Sequence, residues 1–298
     1  MHNIKQIVQV IVAVLLAASL AAQDHSSRFK ELVEKKDTAA QLKLLQEWDA
    51  GDPKDPELYV AWFNFYVQQS VKDIISLEKT PQKEALKLSD STGKPAGYLN
   101  FSTQYISDIL QKGFEYIDKG ITLHPARLDM RFGKIYMLGK AENFEMFTKT
   151  IIGTIEYSNT INHAWLWKEG KPLEDAKSFL IESMQDYIAT IYNTEDDSLL
   201  PYMRQISETV LKYEPEHVIS LANIALTYAI EENYDKALLY LLKAEKIEPK
   251  DVIVLNNIAE IYARKKDKVN ARTYYGKIIK VGSKEEADDA RQKIKELN

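Results

Sequence analysis

Two asparagines, Asn223 and Asn257, stand 34 residues apart among apolar residues near the C-terminal end of the sequence. An asparagine amide can both donate a hydrogen bond to a peptide backbone and accept one from it, so it suits recognition that tolerates many sequences. Glu260 and Arg264 lie further along the same predicted helix as Asn257. These residues favour non-covalent binding of a polypeptide rather than a reaction.

Motifs that would carry catalysis or hold a metal are absent from the sequence. It contains no H-E-x-x-H, no G-x-S-x-G and no D-x-D-x-D-G calcium loop. The stretch Ser91–Pro95 lacks the first glycine of a phosphate loop and has proline where the hydroxyl residue should stand. The histidines after the N-terminus are scattered singly, and capping or exposure explains His124 and His217 better than metal binding. We therefore expect no cofactor and no metal site.

A pair of tryptophans, Trp165 and Trp167, lies in SNTINHAWLWKEGKP (158–172), a segment that we expect to be a surface linker. In an extended segment the two rings would face the same way. Two interpretations stay open. The rings cover an apolar gap between irregular helical repeats, or they form a stacking platform for a peptide or a sugar ring.

The composition is that of a globular chain of 298 residues, 45% hydrophobic and 28% charged, with only 11 glycines and 9 prolines, which favours helix over sheet. A net charge of −5 argues against a nucleic-acid backbone or a polybasic membrane contact as the main partner. The absence of cysteine excludes disulfides, thiolate catalysis and an acylated N-terminal cysteine.

The N-terminus has the pattern of an export signal. One lysine precedes an apolar run from Ile7 to Leu20, and the small residues Ala21 and Ala22 follow. The run is shorter than the about 20 apolar residues that a membrane span needs. Residues 1–22 therefore predict a signal peptide, with an uncleaved anchor as the alternative. We expect the mature chain in a bacterial periplasm, on a bacterial surface or secreted, and not inserted in the membrane after signal cleavage.

The stretch HVISLANIALTYAIEENYDKALLYLLKAEKIEPKD (217–251) predicts two antiparallel helices joined by a short turn. Its apolar positions recur 34 residues later. The matching positions are Leu221, Ile224, Ala225, Tyr228, Ala237 and Leu241, and then Leu255, Ile258, Ala259, Tyr262, Ala271 and Tyr275. The alanines mark the places where the two helix backbones approach most closely.

A period of 34 with L-x2-I-A-x2-Y, then A-x3-L and then proline resembles the tetratricopeptide repeat (TPR) family. The clearest repeats are 217–250 and 251–283, and the polar helix 284–298 has the one thin apolar stripe of a capping helix. Residues 113–125 and Phe132, Gly133 and Tyr136 echo the pattern upstream, and another pair is expected from Ser27 to about Ser76. Residues 89–100 are rich in turn formers and predict a mobile loop.

The resemblance implies an all-α, right-handed α-solenoid of about six helix pairs over residues 23–298, ending in the capping helix. It also implies a concave groove that is lined by the first helix of each pair and holds a peptide. The positions carried over are Ile219, Ala222, Asn223, Leu226, Ile230, Ile253, Asn256, Asn257, Glu260 and Arg264. The asparagines resemble part of a carboxylate clamp, but Ile253 stands where a cation would help. Hydrogen bonding between helices is the alternative role for the asparagines.

Three functions remain open. The preferred hypothesis is an exported, non-enzymatic scaffold or adaptor that binds an unidentified protein or peptide in the groove. The alternatives are a carbohydrate- or glycan-binding accessory protein of a nutrient-uptake system, suggested by Trp165 and Trp167, and an enzyme with an unrecognised site.

Overall fold

A computed structural model of the protein describes residues 25–81 and 85–297, so the predicted signal peptide at 1–22 lies outside the described residues. Most of the described chain is helical, which confirms the predicted fold class. The helices are α1 (25–34), α2 (Thr38–Gly51), α3 (Pro56–Ser70), α4 (Ser107–Leu123), α5 (Leu128–Lys140), α6 (Phe144–Thr160), α7 (Ala176–Tyr192), α8 (Leu200–Tyr213), α9 (Val218–Ile230), α10 (Tyr234–Ile247), α11 (Val252–Arg264), α12 (Lys268–Val281) and α13 (Lys284–Glu296). Short 3-10 turns cover Lys168–Gly170 and Asp197–Leu199.

One turn recurs inside the helix pairs. A residue with positive φ ends the first helix, and the next residue caps the second helix with its side chain. The four instances are Lys36 with Asp37, Glu142 with Asn143, Glu232 with Asn233, and Lys266 with Asp267. In each instance the N–H of the capping residue donates to the carbonyl five residues earlier, as in a Schellman motif.

A second turn recurs between the pairs. At 52–55, 124–127, 214–217 and 248–251 the N–H of the fourth residue donates to the carbonyl of the first. His217 and Asp251, which are 34 residues apart, then cap the first helices α9 and α11. The two turns together divide the described helices into six pairs, from α1–α2 to α11–α12, as predicted. The last helix, α13, begins with a capping box formed by Ser283 and Glu286.

A three-stranded antiparallel sheet interrupts the pair α3–α4. Its strands are β1 (Val71–Glu78), β2 (Leu86–Ser89) and β3 (Pro95–Tyr105), in the order β1-β3-β2. The prediction of a helix to about Ser76 is wrong, because α3 ends at Ser70 and the chain continues directly into β1. The prediction of a mobile loop at 89–100 is also wrong, since most of this stretch belongs to β3 and to the turn before it.

Local chemistry explains where this sheet turns. The carboxylate of Asp90 accepts hydrogen bonds from the backbone N–H groups of Thr92 and Lys94 and from the Thr92 hydroxyl. Such side-chain bonds to neighbouring backbone stabilise a tight turn, and Gly93 adopts the positive φ that the turn needs. The residues that indicated a loop therefore form the β2–β3 hairpin turn.

The chain divides into two compact units, and each is described by itself. Unit 1 comprises the described residues up to Met137 together with Leu166–Pro172. Its core is aromatic, with Trp48 and Trp62 buried and the Trp62 ring stacked on Tyr116 at 4.7 Å between ring centroids. The buried Arg127 holds Asp129 and Glu57 through ion pairs of 2.7 and 2.8 Å.

Unit 2 comprises Leu138–Trp165 and Leu173 to the C-terminal end. Ala237 and Ala271 are completely buried, as expected for positions of close helix approach. The 34-residue period reaches the side chains as well. Tyr228 stacks on Tyr240 and Tyr262 stacks on Tyr274, with centroid distances of 6.0 and 5.7 Å.

Candidate functional site

A cavity of about 390 Å³ opens between the first helices α9 and α11 in unit 2. It is lined by Tyr192, Ala225, Leu226, Ala229, Ile230, Leu241, Asn257, Glu260, Ile261 and Arg264. Five of these residues, Leu226, Ile230, Asn257, Glu260 and Arg264, are groove positions carried over from the repeat pattern. Tyr192 was missed because it ends α7, whose sequence does not follow the consensus. We call this cavity the α9–α11 groove.

The polar side of the α9–α11 groove carries unused hydrogen-bonding capacity. The Asn257 side chain is half-buried, and no described residue forms a hydrogen bond with its amide. The guanidinium of Arg264 is exposed and likewise has no ion-pair partner among the residues that the structure describes. Together they leave one amide and one cation to face whatever occupies the groove.

Glu260 is already engaged within the protein. The Tyr275 hydroxyl donates to its carboxylate at 2.7 Å, and the ammonium group of Lys293 forms an ion pair with it. Burial acts to raise the pKa of Glu260, but the hydrogen bonds from Lys293 and Tyr275 outweigh it and hold that pKa below its ordinary value. Glu260 therefore stays charged and joins α11 to α12 and α13.

The other two predicted asparagines lie outside this groove. The Asn223 amide donates to the side-chain oxygen of Gln185 at 2.8 Å, so it joins α9 to α7. Asn256 lines a separate cavity of about 240 Å³ beside α13, together with Ile253 and Lys293. Asn223 and Asn257 thus share a repeat position but have different surroundings, and the inter-helix alternative describes Asn223.

A neighbouring cavity of about 400 Å³ shares Tyr192 and Ile230 with the α9–α11 groove. Its floor includes the buried side chains of Leu200 and Met203. Three exposed acidic residues of the α7–α8 connection complete its lining: Glu195, Asp196 and Asp197. The combined concave surface is therefore apolar in the middle, acidic at the α7–α8 connection and basic at Arg264.

The two tryptophans do not form one platform. Trp165 is 1% exposed in unit 2, where its indole N–H donates to the Ser158 hydroxyl at 2.8 Å and its ring lies against Tyr157. Trp167 belongs to unit 1 and contacts Phe132 edge-on at 5.9 Å. The expectation that both rings face the same way is wrong, because the segment bends and each ring packs into its own unit. Trp165 has no accessible face for a ligand.

Two histidine–serine contacts also arise from the fold. His163 lies 2.9 Å from the Ser158 hydroxyl, and His217 lies 2.8 Å from the Ser220 hydroxyl. Both serines are completely buried, so neither oxygen can reach a substrate. His217 instead caps α9, the role expected for a histidine beside a proline turn. No group of three metal-ligating side chains occurs in the described part of the chain.

The paired helices and their two recurring turns define an α-helical repeat protein. The family model of the tetratricopeptide repeat matches residues 219–251, which comprise α9, α10 and the turns around them. The chain is therefore a tetratricopeptide-repeat protein, and the resemblance seen in the sequence is confirmed. Among curated proteins, no sequence matches it.

Solved structures with helical repeats also match. YrrB, described as a TPR protein with an unusual peptide-binding site, is 13% identical with a TM-score of 0.40, covering 83% of this chain and 97% of that one. The C-terminal part of a TPR protein from Cytophaga hutchinsonii is 14% identical, with a TM-score of 0.43 and coverages of 92% and 95%. The pHSP90 complex of the TPR2AB domain of yeast Sti1 gives 10%, 0.34, 93% and 98%. At these values the likeness carries no argument about function.

Proposed function

We propose that this protein is a non-enzymatic scaffold or adaptor that binds a polypeptide segment of a partner in the α9–α11 groove. One observation carries the proposal. The half-buried Asn257 amide and the exposed Arg264 guanidinium both lack partners among the described residues, and both border an apolar floor. A peptide offers backbone groups to the amide and apolar side chains to the floor.

The floor supplies the apolar contacts that such binding needs. Leu226 is 37% exposed and Tyr192 is 48% exposed, so both can lose water contact when a ligand binds. Side chains of this kind supply anchors for a bound segment, while the amide constrains its backbone.

The charges suggest an orientation for the segment. Glu195, Asp196 and Asp197 lie at one end of the concave surface and Arg264 lies at the other. Opposite charges across an interface steer association and set its register. A segment with basic residues toward the α7–α8 connection and an acidic group toward Arg264 suits this arrangement best.

The carbohydrate alternative depended on Trp165 and Trp167 as a stacking platform. With Trp165 buried, that support is lost, and we prefer a polypeptide ligand. The enzyme alternative has no comparable support, since the two histidine–serine contacts involve completely buried serines.

Export is a second part of the proposal and depends on the sequence of residues 1–22 alone. Cleavage after Ala21 or Ala22 would place the mature protein in a periplasm, on a bacterial surface or in the medium. N-terminal sequencing of protein from the native host should begin at Ala22 or Gln23. Met1 retained on a cytoplasmic protein would contradict export. In the described part of the chain, no helix is long and apolar enough to span a bilayer.

The groove is tested with peptides selected from a random-peptide library on the purified protein. Calorimetric titration then compares the wild type with the double variant Leu226→Glu and Asn257→Ala. Loss of one hydrogen bond is worth about 0.5–1.5 kcal/mol, and a carboxylate in the apolar floor adds a desolvation cost, so we expect affinity to fall at least about tenfold. Both residues are partly exposed, so the helical signal and the melting midpoint should change little.

The matched control is Leu239→Glu, at an exposed position of α10 that lies outside the groove lining. Its affinity should equal that of the wild type. If the selected peptides bind the double variant and the wild type alike, the α9–α11 groove is not the binding site. If no peptide binds above background, the peptide-binding proposal fails.

A further inference from the structure

The inserted sheet of unit 1 has an apolar face that is open to solvent. Residues paired across an antiparallel sheet point to the same side, and the pairs Ile75–Phe101, Leu77–Leu99 and Leu86–Leu99 place these side chains together. Ile75 is 65% exposed, Leu77 is 67%, Leu86 is 58% and Phe101 is 45%. Exposed apolar clusters of this kind mark interaction surfaces.

The opposite face of the sheet is more polar and better covered. It carries Ser76 paired with Asn100 and Ile74 paired with Ser102, and Asn100 is buried at 1% exposure. The Asn100 amide donates to the carbonyl of Thr80 at 3.1 Å. The usual arrangement, with the apolar face inside, is therefore reversed in this sheet.

The strand order β1-β3-β2 leaves the outer edge of β1 without a paired strand among the described residues. An unpaired edge presents a row of backbone N–H and C=O groups to any compatible strand. Charged residues of one sign would prevent pairing between identical edges. Strand β1 and the residue after it carry both signs instead: Lys72, Asp73, Glu78 and Lys79.

We propose that β1 is a self-association strand, and that two copies of this chain pair antiparallel through β1 about a two-fold axis at Ser76. In this register Ile75 faces Leu77 of the second copy, and Asp73 faces Lys79 of the second copy. The symmetry repeats both contacts. Opposite charges and apolar pairs directly across from each other each stabilise an antiparallel pair.

Charge and hydrophobic pattern select this register over its neighbour. A two-fold axis at Ile75 would pair Lys72 with Glu78 of the second copy on the polar face. It would also place Asp73 opposite Leu77 on the apolar face, where the carboxylate loses water without gaining a partner. The axis at Ser76 avoids this cost, because each apolar residue and each charge of that face meets its own kind of partner. The apolar faces of the two sheets then form one continuous surface.

The test is the oligomeric state of the purified protein by sedimentation equilibrium over a range of concentrations. The wild type should be a dimer in equilibrium with monomer. Ile75→Lys should weaken the dimer by about tenfold or more, since it places two lysines at the centre of the pair. The control Val269→Lys changes an isolated residue of α12 that is 76% exposed and should leave the dimer intact.

Charge reversal tests the register. Asp73→Lys and Lys79→Asp should each weaken the dimer several-fold, and the double variant with both changes should restore it. Since Asp73 also accepts a hydrogen bond from Thr103 within the chain at 3.2 Å, the monomer of each variant is checked by its melting curve. Failure of the double variant to restore the dimer would overturn the register.

A wild type that stays monomeric at all concentrations overturns self-association through β1. So does a dimer that Ile75→Lys leaves unchanged. A monomer that instead binds vesicles of phosphatidylglycerol and phosphatidylethanolamine through Ile75 and Leu77 would show that a membrane covers this face, and the proposal would fail. None of these outcomes concerns the α9–α11 groove, which is tested separately.

Discussion

Replacing Ala237 by leucine should destabilise unit 2 by overpacking. Ala237 is completely buried in α10, within a core that includes Leu221, Leu241 and Ala271, and it lines none of the cavities described above. Leucine adds three carbon atoms at a place where the helices are in close contact. Overpacking of a well-packed core typically costs about 1–3 kcal/mol. At about 2 kcal/mol, the unfolding equilibrium constant rises roughly thirtyfold.

The assay is thermal unfolding followed by circular dichroism at the helical band. For a unit of about 150 residues, a loss of about 2 kcal/mol lowers the midpoint by roughly 4–8 °C. Ala189→Leu is the matched control, because it makes the same change at an exposed position of α7 and should leave the midpoint within about a degree or two. An Ala237→Leu variant that melts like the wild type would mean that the pairing of α10 with its neighbours is wrong.

Three further predictions concern pH, a buried charge and metals. Burial lowers the pKa of His217, with Glu214 acting weakly the other way, and the stability from its neutral imidazole is present above the ordinary value of about 6.5 and lost as pH falls below it. Melting between pH 7.5 and 5.5 should therefore depend less on pH in His217→Asn, which keeps a cap, and an equal dependence would contradict this. Asp129→Ala should cost about 3 kcal/mol in denaturant titrations because it strands the charge of Arg127, whereas Glu31→Gln, in an exposed pair, should cost less than about 1 kcal/mol; equal losses would refute the argument. A chelator should leave the melting curve unchanged, and a lowered midpoint would reveal a structural metal.

Repeats 217–250 and 251–283 could be predicted from the sequence because their signals are local. Helix periodicity, capping residues and turn residues act within about five positions along the chain. The same turn recurs at Glu142–Asn143, so the upstream pairs were partly recognisable although their apolar residues depart from the consensus. Five of the groove residues followed from the same period, since residues 34 apart occupy equivalent positions on successive first helices.

The remaining features depend on partners far apart in the chain. Strand β1 pairs Val71 with Tyr105, and a single segment read in isolation gives no sign of that partner. Asn223 and Asn257 look equivalent in the sequence, but Gln185 of α7 reaches only the first of them.

The sequence by itself determined the helical-repeat fold, the positions of the turns and the face of each first helix that lines the groove, because these depend on interactions between near neighbours. Tertiary structure decided that Trp165 is buried, that Glu260 is neutralised by Lys293 and that the inserted segment forms a sheet. The physical reason is that burial, ion pairing and strand pairing are set by which distant residues the packed chain brings together.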